Sequence, residues 1–141
     1  MKKATCISAL GLLFAAVLLV PAYSVQAAEW EQVGYGTLQD NSRFDVYVDT
    51  RTIVHIGDIV RFWQGHVFYK EQQLPSGALY MRVSIERQGN CAEKTDKNIQ
   101  AIFYARDGSV IKNYKEENAL KSAGPDTIRS EVLEFVCAYK N

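Results

Sequence analysis

The residues that could perform catalysis are few and far apart in the sequence. The two histidines, His55 and His66, lie in segments with strand character. Neither has a nucleophile and an orienting group at a spacing that predicts a catalytic set. We interpret both as partly exposed strand residues and expect the protein to be non-enzymatic and without a cofactor. One alternative stays open, in which His55, His66 or Met81 ligates heme or a metal ion.

Paired carboxylates could act as general acid and general base. Asp45 and Asp49 are four residues apart in a strand pattern, which places them on one face but not side by side, and Glu116 and Glu117 are neighbours in a polar segment. We interpret both pairs as solvated surface charge. The segment Gly34-Tyr35-Gly36 lacks the further glycine and the helix of a phosphate-binding loop. The sequence therefore predicts no nucleotide site.

The N-terminal segment has the three parts of a secretory signal peptide. Lys2 and Lys3 give it a positive start, residues 9–20 are apolar and uncharged, and Val25-Gln26-Ala27 offers a cleavage site. The apolar run is shorter than the roughly 20 residues that a spanning helix needs. We therefore expect residues 1 to about 27 to be removed as a signal peptide.

What remains is expected to be a single exported domain, residues 28–141, in the periplasm, secreted or on the cell surface. No lipobox precedes Cys6, so lipidation is not predicted, and no transmembrane anchor is expected after processing. The 16 basic and 16 acidic residues of the whole chain cancel, and loss of the signal segment removes two lysines. A nearly neutral domain gives no electrostatic reason to bind nucleic acid.

Two cysteines remain after processing, Cys91 and Cys137. In an oxidising compartment an even count most simply means one disulfide, and closing so long a loop would contribute about 4 kcal/mol by chain entropy. A metal site would need more ligands, and the sequence has no CxxC or HxxxH spacing. A redox pair would usually be a CxxC motif. We therefore expect a structural disulfide and no metal.

Strand patterns with turns between them fill most of the domain. Gly57-Asp58 and Asp107-Gly108 suit hairpins, Pro75-Ser76-Gly77 is a further turn, and residues 89–97 are polar and are predicted as a loop. Alternating or apolar runs predict strands at residues 44–49, 52–56, 59–69, 79–86, 99–106 and 109–114.

The last segment has the period of a helix. Apolar residues recur as one stripe between residues 127 and 139, and Asp126 or Thr127 can cap its start. The predicted fold class is α+β: an antiparallel meander of five to six strands with a C-terminal helix, which the expected disulfide would tie to the sheet. The predicted core brings together, from strand and helix, Met81, Val83, Ile85, Val132 and Val136.

Tyrosines are the unusual feature of the composition, and rigid amphipathic rings on a sheet make good recognition surfaces. Alternation places Tyr80 and Arg82 opposite the expected core stripe, and the lysines after Cys91 lie in a polar loop. We expect an unidentified protein ligand to bind on this polar face and on the loop after it. The candidate residues are Tyr47, Tyr80, Arg82, Arg87, Lys94 and Lys97.

The order of these segments resembles the surface-adhesin protein E family. The resemblance is carried by Val46-Tyr47-Val48-Asp49, Thr52-Ile53, Gly57, the strand that ends in Trp63, Cys91, Ile99 to Tyr104, and Val136-Cys137. It implies a sheet with a C-terminal helix joined by a disulfide, in a protein that is secreted or at the outer surface of a Gram-negative bacterium. It also implies an adhesin of host-matrix or serum proteins. The alternative is a periplasmic inhibitor or accessory protein that acts on an enzyme such as lysozyme.

Overall fold

The computed structural model describes residues 27–115 and 121–140, so the predicted signal peptide lies almost wholly outside the described residues. The elements are β1 Trp30–Thr37, β2 Arg43–Ile56, β3 Ile59–Gln73, β4 Leu79–Asn90, β5 Thr95–Tyr104, β6 Val110–Lys115, β7 Lys121–Ser122 and α1 Ile128–Ala138. Strands β1 to β6 form one antiparallel meander in chain order, and β7 pairs with β5.

The predicted meander with a C-terminal helix is confirmed, but the described chain has six strands in the meander and a seventh short one, not five to six. The two patterns at residues 44–49 and 52–56 are parts of a single strand, β2. Strand β1 was not predicted because Gly34 and Gly36 weaken its strand propensity. Gly34 leaves room for the helix, because a Cβ there would lie 2.5 Å from Ile128 Cδ1.

Both predicted glycine hairpins are confirmed. Strands β2 and β3 join through Gly57-Asp58, with Ile56 paired to Ile59 and Gly57 at φ 59°. The turn between β5 and β6 holds Gly108 at φ 86°. Such backbone conformations suit glycine, since an L side chain is strained there.

The loop predicted at residues 89–97 is much shorter in the structure. Strand β4 continues to Asn90, β5 begins at Thr95, and only residues 91–94 form the turn. The prediction was wrong because it treated polar residues as solvated. Asp96 is instead 1 % exposed and pairs with Arg87 from β4 and Arg129 from α1.

Helix α1 begins after Thr127, one of the two predicted caps. The Thr127 hydroxyl accepts a hydrogen bond from the Ser130 backbone N–H at 3.2 Å, and the Ser130 hydroxyl accepts one from the Thr127 N–H. This reciprocal pair satisfies two amides that a helix start leaves unbonded. The buried stripe of α1 packs on strands β2 and β3, in a cluster that includes Val46, Val48, Ile53, Val60, Phe62, Val132, Leu133 and Val136.

The helix and the predicted β4 stripe do not share one core, which corrects the prediction. Val132 and Val136 belong to the cluster under α1, whereas Val83 lies in a second cluster with Phe68 and Ala101. Ile85 is half-buried and packs against this second cluster. Met81 is half-buried. The core is divided because the strands extend beyond the short helix.

The predicted Cys91–Cys137 disulfide is present, with the two Cα atoms 5.7 Å apart. It joins the turn after β4 to the last turn of α1 and so ties the helix to the sheet. In the part of the chain that the structure describes, no helix has the length and hydropathy needed to cross a bilayer.

Candidate functional site

The sheet has one face covered by α1 and an opposite face, which we call the open face. Side chains alternate between the two faces along a strand, and Val46 and Val48 are buried in the cluster under α1. Tyr47, between them, therefore lies on the open face. Tyr47 pairs with Gly65 of β3, and Gly65 pairs with Ser84 of β4. Residues paired in register share a face, so they form a row across three strands.

A second row runs beside the first. Val67 of β3 pairs with Arg82 of β4, and Arg82 pairs with Tyr104 of β5. The two rows and the ring of Trp30 line a cleft of about 350 Å³. This volume lies at the small end of the range found for ligand pockets.

Trp30 forms a wall of the cleft because Gly65 has no side chain. A Cβ at Gly65 would lie 3.1 Å from Cζ3 of Trp30, closer than ordinary van der Waals contact. Glycine in the middle of a strand often marks a place where another group approaches the backbone closely. Trp30 remains 42 % exposed, so the ring has free surface beside the cleft.

Arg82 supplies the positive charge of the cleft. Its guanidinium carbon lies 5.2 Å from the centre of the Tyr104 ring, within the range of a cation–π contact. Within residues 27–115 and 121–140 Arg82 makes no ion pair, and no aspartate or glutamate lines the cleft. The cleft therefore favours an anionic group in a ligand.

A cluster of paired polar groups lies next to the second row, because Asp45 pairs in register with Val67. The Tyr69 hydroxyl donates to Asp45 Oδ2 at 2.9 Å, and Arg43 Nε donates to Asp45 Oδ1 at 3.0 Å. The hydrogen bond to Asp45 raises the pKa of the Tyr69 phenol. The Arg43 guanidinium also lies 4.4 Å from the centre of the Tyr35 ring.

The carboxylates Asp45 and Asp49 are buried, which corrects their interpretation as solvated charge. Asp45 is 7 % exposed and Asp49 6 %. Asp49 Oδ1 accepts hydrogen bonds from the backbone amides of Glu29, at 3.0 Å, and Arg51, at 3.3 Å. Both carboxylates are therefore occupied with partners that fix the strands. The Glu116–Glu117 pair lies outside the described residues.

Arg87 lies on the helix-covered side, where it belongs to a buried polar network instead of a binding surface. It pairs with Asp96, and its Nη1 donates to Gln64 Oε1 at 3.0 Å. Burial lowers the pKa of Arg87, partly offset by Asp96. A side chain that is 7 % exposed and whose two terminal nitrogens contact Asp96 and Gln64 presents little surface to a protein ligand.

The same network ends at His66. Gln64 Nε2 lies 2.5 Å from His66 Nε2, and since Gln64 Oε1 accepts from Arg87, the Gln64 amide donates to the imidazole. Burial, with a contribution from the charge of Arg87, lowers the pKa of His66 from 6.5 to about 4. His55 is exposed, as expected. Across the described ranges, no group of three or more His, Cys, Asp or Glu side chains is placed to hold a metal ion.

Tyr80 lies on the side opposite to the one that alternation predicts. Its ring packs edge-on against Phe68, at 5.5 Å between centroids, and against Phe103, at 4.9 Å, both of which belong with Val83 to the second cluster. The pairing of β3 with β4 shifts register between Val67 and Gln72. Alternation counted along β4 does not hold across such an irregularity.

The two predicted lysines lie away from the cleft, near the start of β5. Lys94 is exposed in the turn before β5, with φ 55°, and Lys97 is half-buried and pairs with Gln88. The structure therefore brings together only Tyr47 and Arg82 of the six predicted site residues.

Trp30, Ser84 and Tyr104 were missed as parts of the cleft. Trp30 belongs to the strand that was not predicted, and the positions of Ser84 and Tyr104 depend on the pairing of β4 with its neighbours. The one available signal was Gly65, an isolated glycine in a strand of large residues.

The chain is similar to two solved structures of protein E. One is protein E of Haemophilus influenzae, at 20 % identity and a TM-score of 0.55, over 80 % of this chain and 93 % of the other. The second is protein E of non-typeable Haemophilus influenzae, at 20 % identity and a TM-score of 0.52, over 85 % and 82 %. None of the curated protein sequences matches the chain significantly. The model of the surface-adhesin protein E family matches residues 30–138, and the chain therefore belongs to that family.

Proposed function

We propose that the chain is an exported, non-enzymatic binding module that attaches to a host extracellular-matrix or serum protein through its open face. The observation that carries the proposal is the cleft, which Trp30, Tyr47 and Tyr104 line together with Arg82, an arginine that makes no ion pair with any described residue. Family membership supports an adhesin-like surface protein. The ligand would contact Tyr47 and Arg82 first.

The build of the domain supports a binding role for this face. Aromatic and arginine side chains are the ones that most often anchor protein interfaces. Here Tyr47, Arg82 and Tyr104 stand on the inner strands β2, β4 and β5 of a sheet whose other side packs against α1. A rigid support of this kind lowers the conformational entropy lost when a ligand binds.

A non-enzymatic role fits the way in which the candidate catalytic groups are used. Asp45, Asp49 and His66 are each held in hydrogen bonds that stabilise strands or the buried network. A general base needs a lone pair that can reach a substrate. The lone pairs of these groups instead accept hydrogen bonds within the fold. None of the comparisons supports the alternative of an enzyme inhibitor, so adhesion is the better-supported function.

The proposal includes export. Residues 1 to about 27 would be removed as the signal peptide, and the domain of residues 28–141 would act at the cell surface or after secretion. Lys97 lies near the start of β5 and Lys94 in the turn before it, away from the cleft, and they would give a second, electrostatic contact to a large ligand.

Binding to a panel of immobilised host-matrix and serum proteins tests the function. We expect at least one of them to bind the processed domain, and Tyr47→Ala and Arg82→Gln to weaken that binding about tenfold or more, as for anchor residues. Glu134→Gln changes an exposed charge on α1 and serves as the matched control. Unchanged binding by both open-face variants, with loss in the helix variant, would move the site to α1 and overturn the proposal.

A further inference from the structure

The chemistry of the cleft narrows the kind of group that it can hold. The polar side-chain groups that line it from the open face are the guanidinium of Arg82, the hydroxyls of Tyr47, Ser84 and Tyr104, and the indole of Trp30. Arginine and the indole N–H only donate hydrogen bonds, and hydroxyls can do so. No described carboxylate lines the cleft, and Asp45, beside Val67, already pairs with Arg43. A ligand rich in oxygen acceptors, with a negative charge, therefore complements this set.

We propose that the cleft binds a carboxylate-bearing sugar ring of a matrix glycan, with its carboxylate on Arg82 and its apolar face on Trp30. The inference rests on the proposed function, because it gives the ligand chemistry of the same open face. A planar guanidinium matches a carboxylate through two parallel hydrogen bonds. The Tyr104 ring beneath Arg82 holds the guanidinium where such a pair can form.

The flat rings favour a sugar. A pyranose ring presents one face of C–H groups, which packs on an aromatic ring, and an edge of hydroxyls, which needs polar partners. Trp30 offers an exposed ring, and Ser84 and Tyr47 offer hydroxyls beside it. A cleft of about 350 Å³ has room for one or two sugar rings and not for a folded element.

The position of the cleft argues against an extended acidic peptide. Such peptides are commonly bound by adding a strand to an exposed sheet edge, where main-chain groups are unpaired. Gly65 pairs with Tyr47 on one side and with Ser84 on the other. The cleft floor therefore has its backbone groups already committed to the sheet and recognises ligands through side chains.

Titration of the processed domain with a hyaluronan tetrasaccharide, which carries carboxylates and no sulfate, tests the inference. We expect saturable binding that shifts the indole N–H resonance of Trp30 in NMR spectra. Arg82→Gln should weaken the affinity about tenfold or more, because a charged hydrogen-bond pair is lost. Trp30→Ala should weaken it by a similar factor, through lost apolar contact. Arg61→Gln removes another exposed arginine, which already pairs with Glu86, and should change the affinity less than about twofold.

Two comparison ligands make the result decisive. The carboxyl-reduced tetrasaccharide should bind at least about tenfold more weakly, and tetraglutamate should not compete. Equal binding of the reduced sugar, or equal binding of tetraglutamate, would overturn the inference. Absence of tetrasaccharide binding would also overturn the inference. The proposed function would still stand in that case if the Arg82→Gln substitution abolishes binding to the matrix protein. If matrix binding is unaffected by Arg82→Gln and Tyr47→Ala, the proposed function itself fails.

Discussion

At the scale of single residues, Asp96 connects the sheet to the helix through charge. It is 1 % exposed and pairs with Arg87 of β4 and Arg129 of α1, and the Arg129 Nη2 also donates to its backbone carbonyl at 2.9 Å. Two arginines held by one buried carboxylate depend on it for neutralisation, because a buried charge without a partner is costly.

Replacing Asp96 with asparagine should therefore destabilise the fold by about 3–5 kcal/mol, the range found when a buried ion pair loses one member. The measurement is the free energy of unfolding in urea. Glu86→Gln, which breaks the more exposed pair with Arg61, is the control and should cost under about 1 kcal/mol. Similar losses in both variants would mean that Asp96 contributes no more than a surface charge.

A second prediction concerns His66, whose pKa is lowered from 6.5 to about 4 by burial and by Arg87. Between pH 6.5 and about 4 the unfolded chain binds a proton that the folded protein does not, so stability falls as the solution is acidified through this window. The slope from this group is at most about 1.4 kcal/mol per pH unit. Urea unfolding at several pH values should show a shallower dependence in His66→Gln. An identical slope in both proteins would show that His66 ionises normally in the folded state.

At the scale of elements, α1 and the strands beneath it form the larger of the two buried clusters described above. Leu133 is 1 % exposed, and its Cδ1 would lie 2.6 Å from a Cβ on Gly89. The helix thus approaches β4 closely where that strand has a glycine, and the contact sets how tightly α1 can pack.

Truncating Leu133 to alanine should cost about 2–5 kcal/mol, since it removes buried methyl groups and leaves a cavity. Leu79 is 49 % exposed, and the same truncation there should cost under about 0.5 kcal/mol. Chemical unfolding of the two variants side by side gives the comparison. Equal costs would contradict the placement of the helix stripe.

The cross-link between α1 and the sheet gives a further prediction. Cys91 and Cys137 are 46 residues apart in the sequence, so replacing both with serine should lower the free energy of unfolding by about 4 kcal/mol. The double replacement is used because a single one would leave a free thiol. The free energy of unfolding of the variant is compared with those of the oxidised and the reduced wild-type protein. Two free thiols in non-reduced exported protein would contradict the bond itself.

The elements that could be predicted are those whose signal is local. Gly57 and Gly108 marked hairpins because a positive φ is a property of the residue and its neighbours, and Thr127 marked a helix start for the same reason. Tyr80 was assigned to the wrong face because a register shift depends on two strands together. The same distinction between local and non-local signals holds for the candidate site. Alternation along a strand predicted Tyr47 and Arg82, whereas Trp30 lies in the cleft because of strand pairing, which the local sequence does not indicate.

At the scale of the whole molecule, the sheet separates stability from recognition. The helix, the disulfide and the buried network lie on one face, and the cleft lies on the other, so most of the stabilising contacts do not involve the residues proposed to bind. Substitutions at Tyr47 or Arg82 should therefore change binding without a comparable loss of stability.

Processing is the prediction that concerns the full chain. The Val25-Gln26-Ala27 pattern should give a mature N-terminus at Ala28, as determined by N-terminal sequencing of exported protein. Arg51 Nη1 donates to the Ala27 carbonyl, and cleavage removes that acceptor. A terminus at Met1, or retention in the membrane fraction, would contradict the prediction.

The path of the disulfide has a consequence for the order of events during synthesis. Cys137 follows the seven strands of the described residues in the sequence, so its thiol leaves the ribosome after the strands that it fastens. Each strand of the meander pairs with the strand just before it, and such pairs can form while the chain is still emerging. Formation of the Cys91–Cys137 disulfide, in which an external thiol oxidant takes up two electrons and two protons, therefore comes after the sheet has assembled.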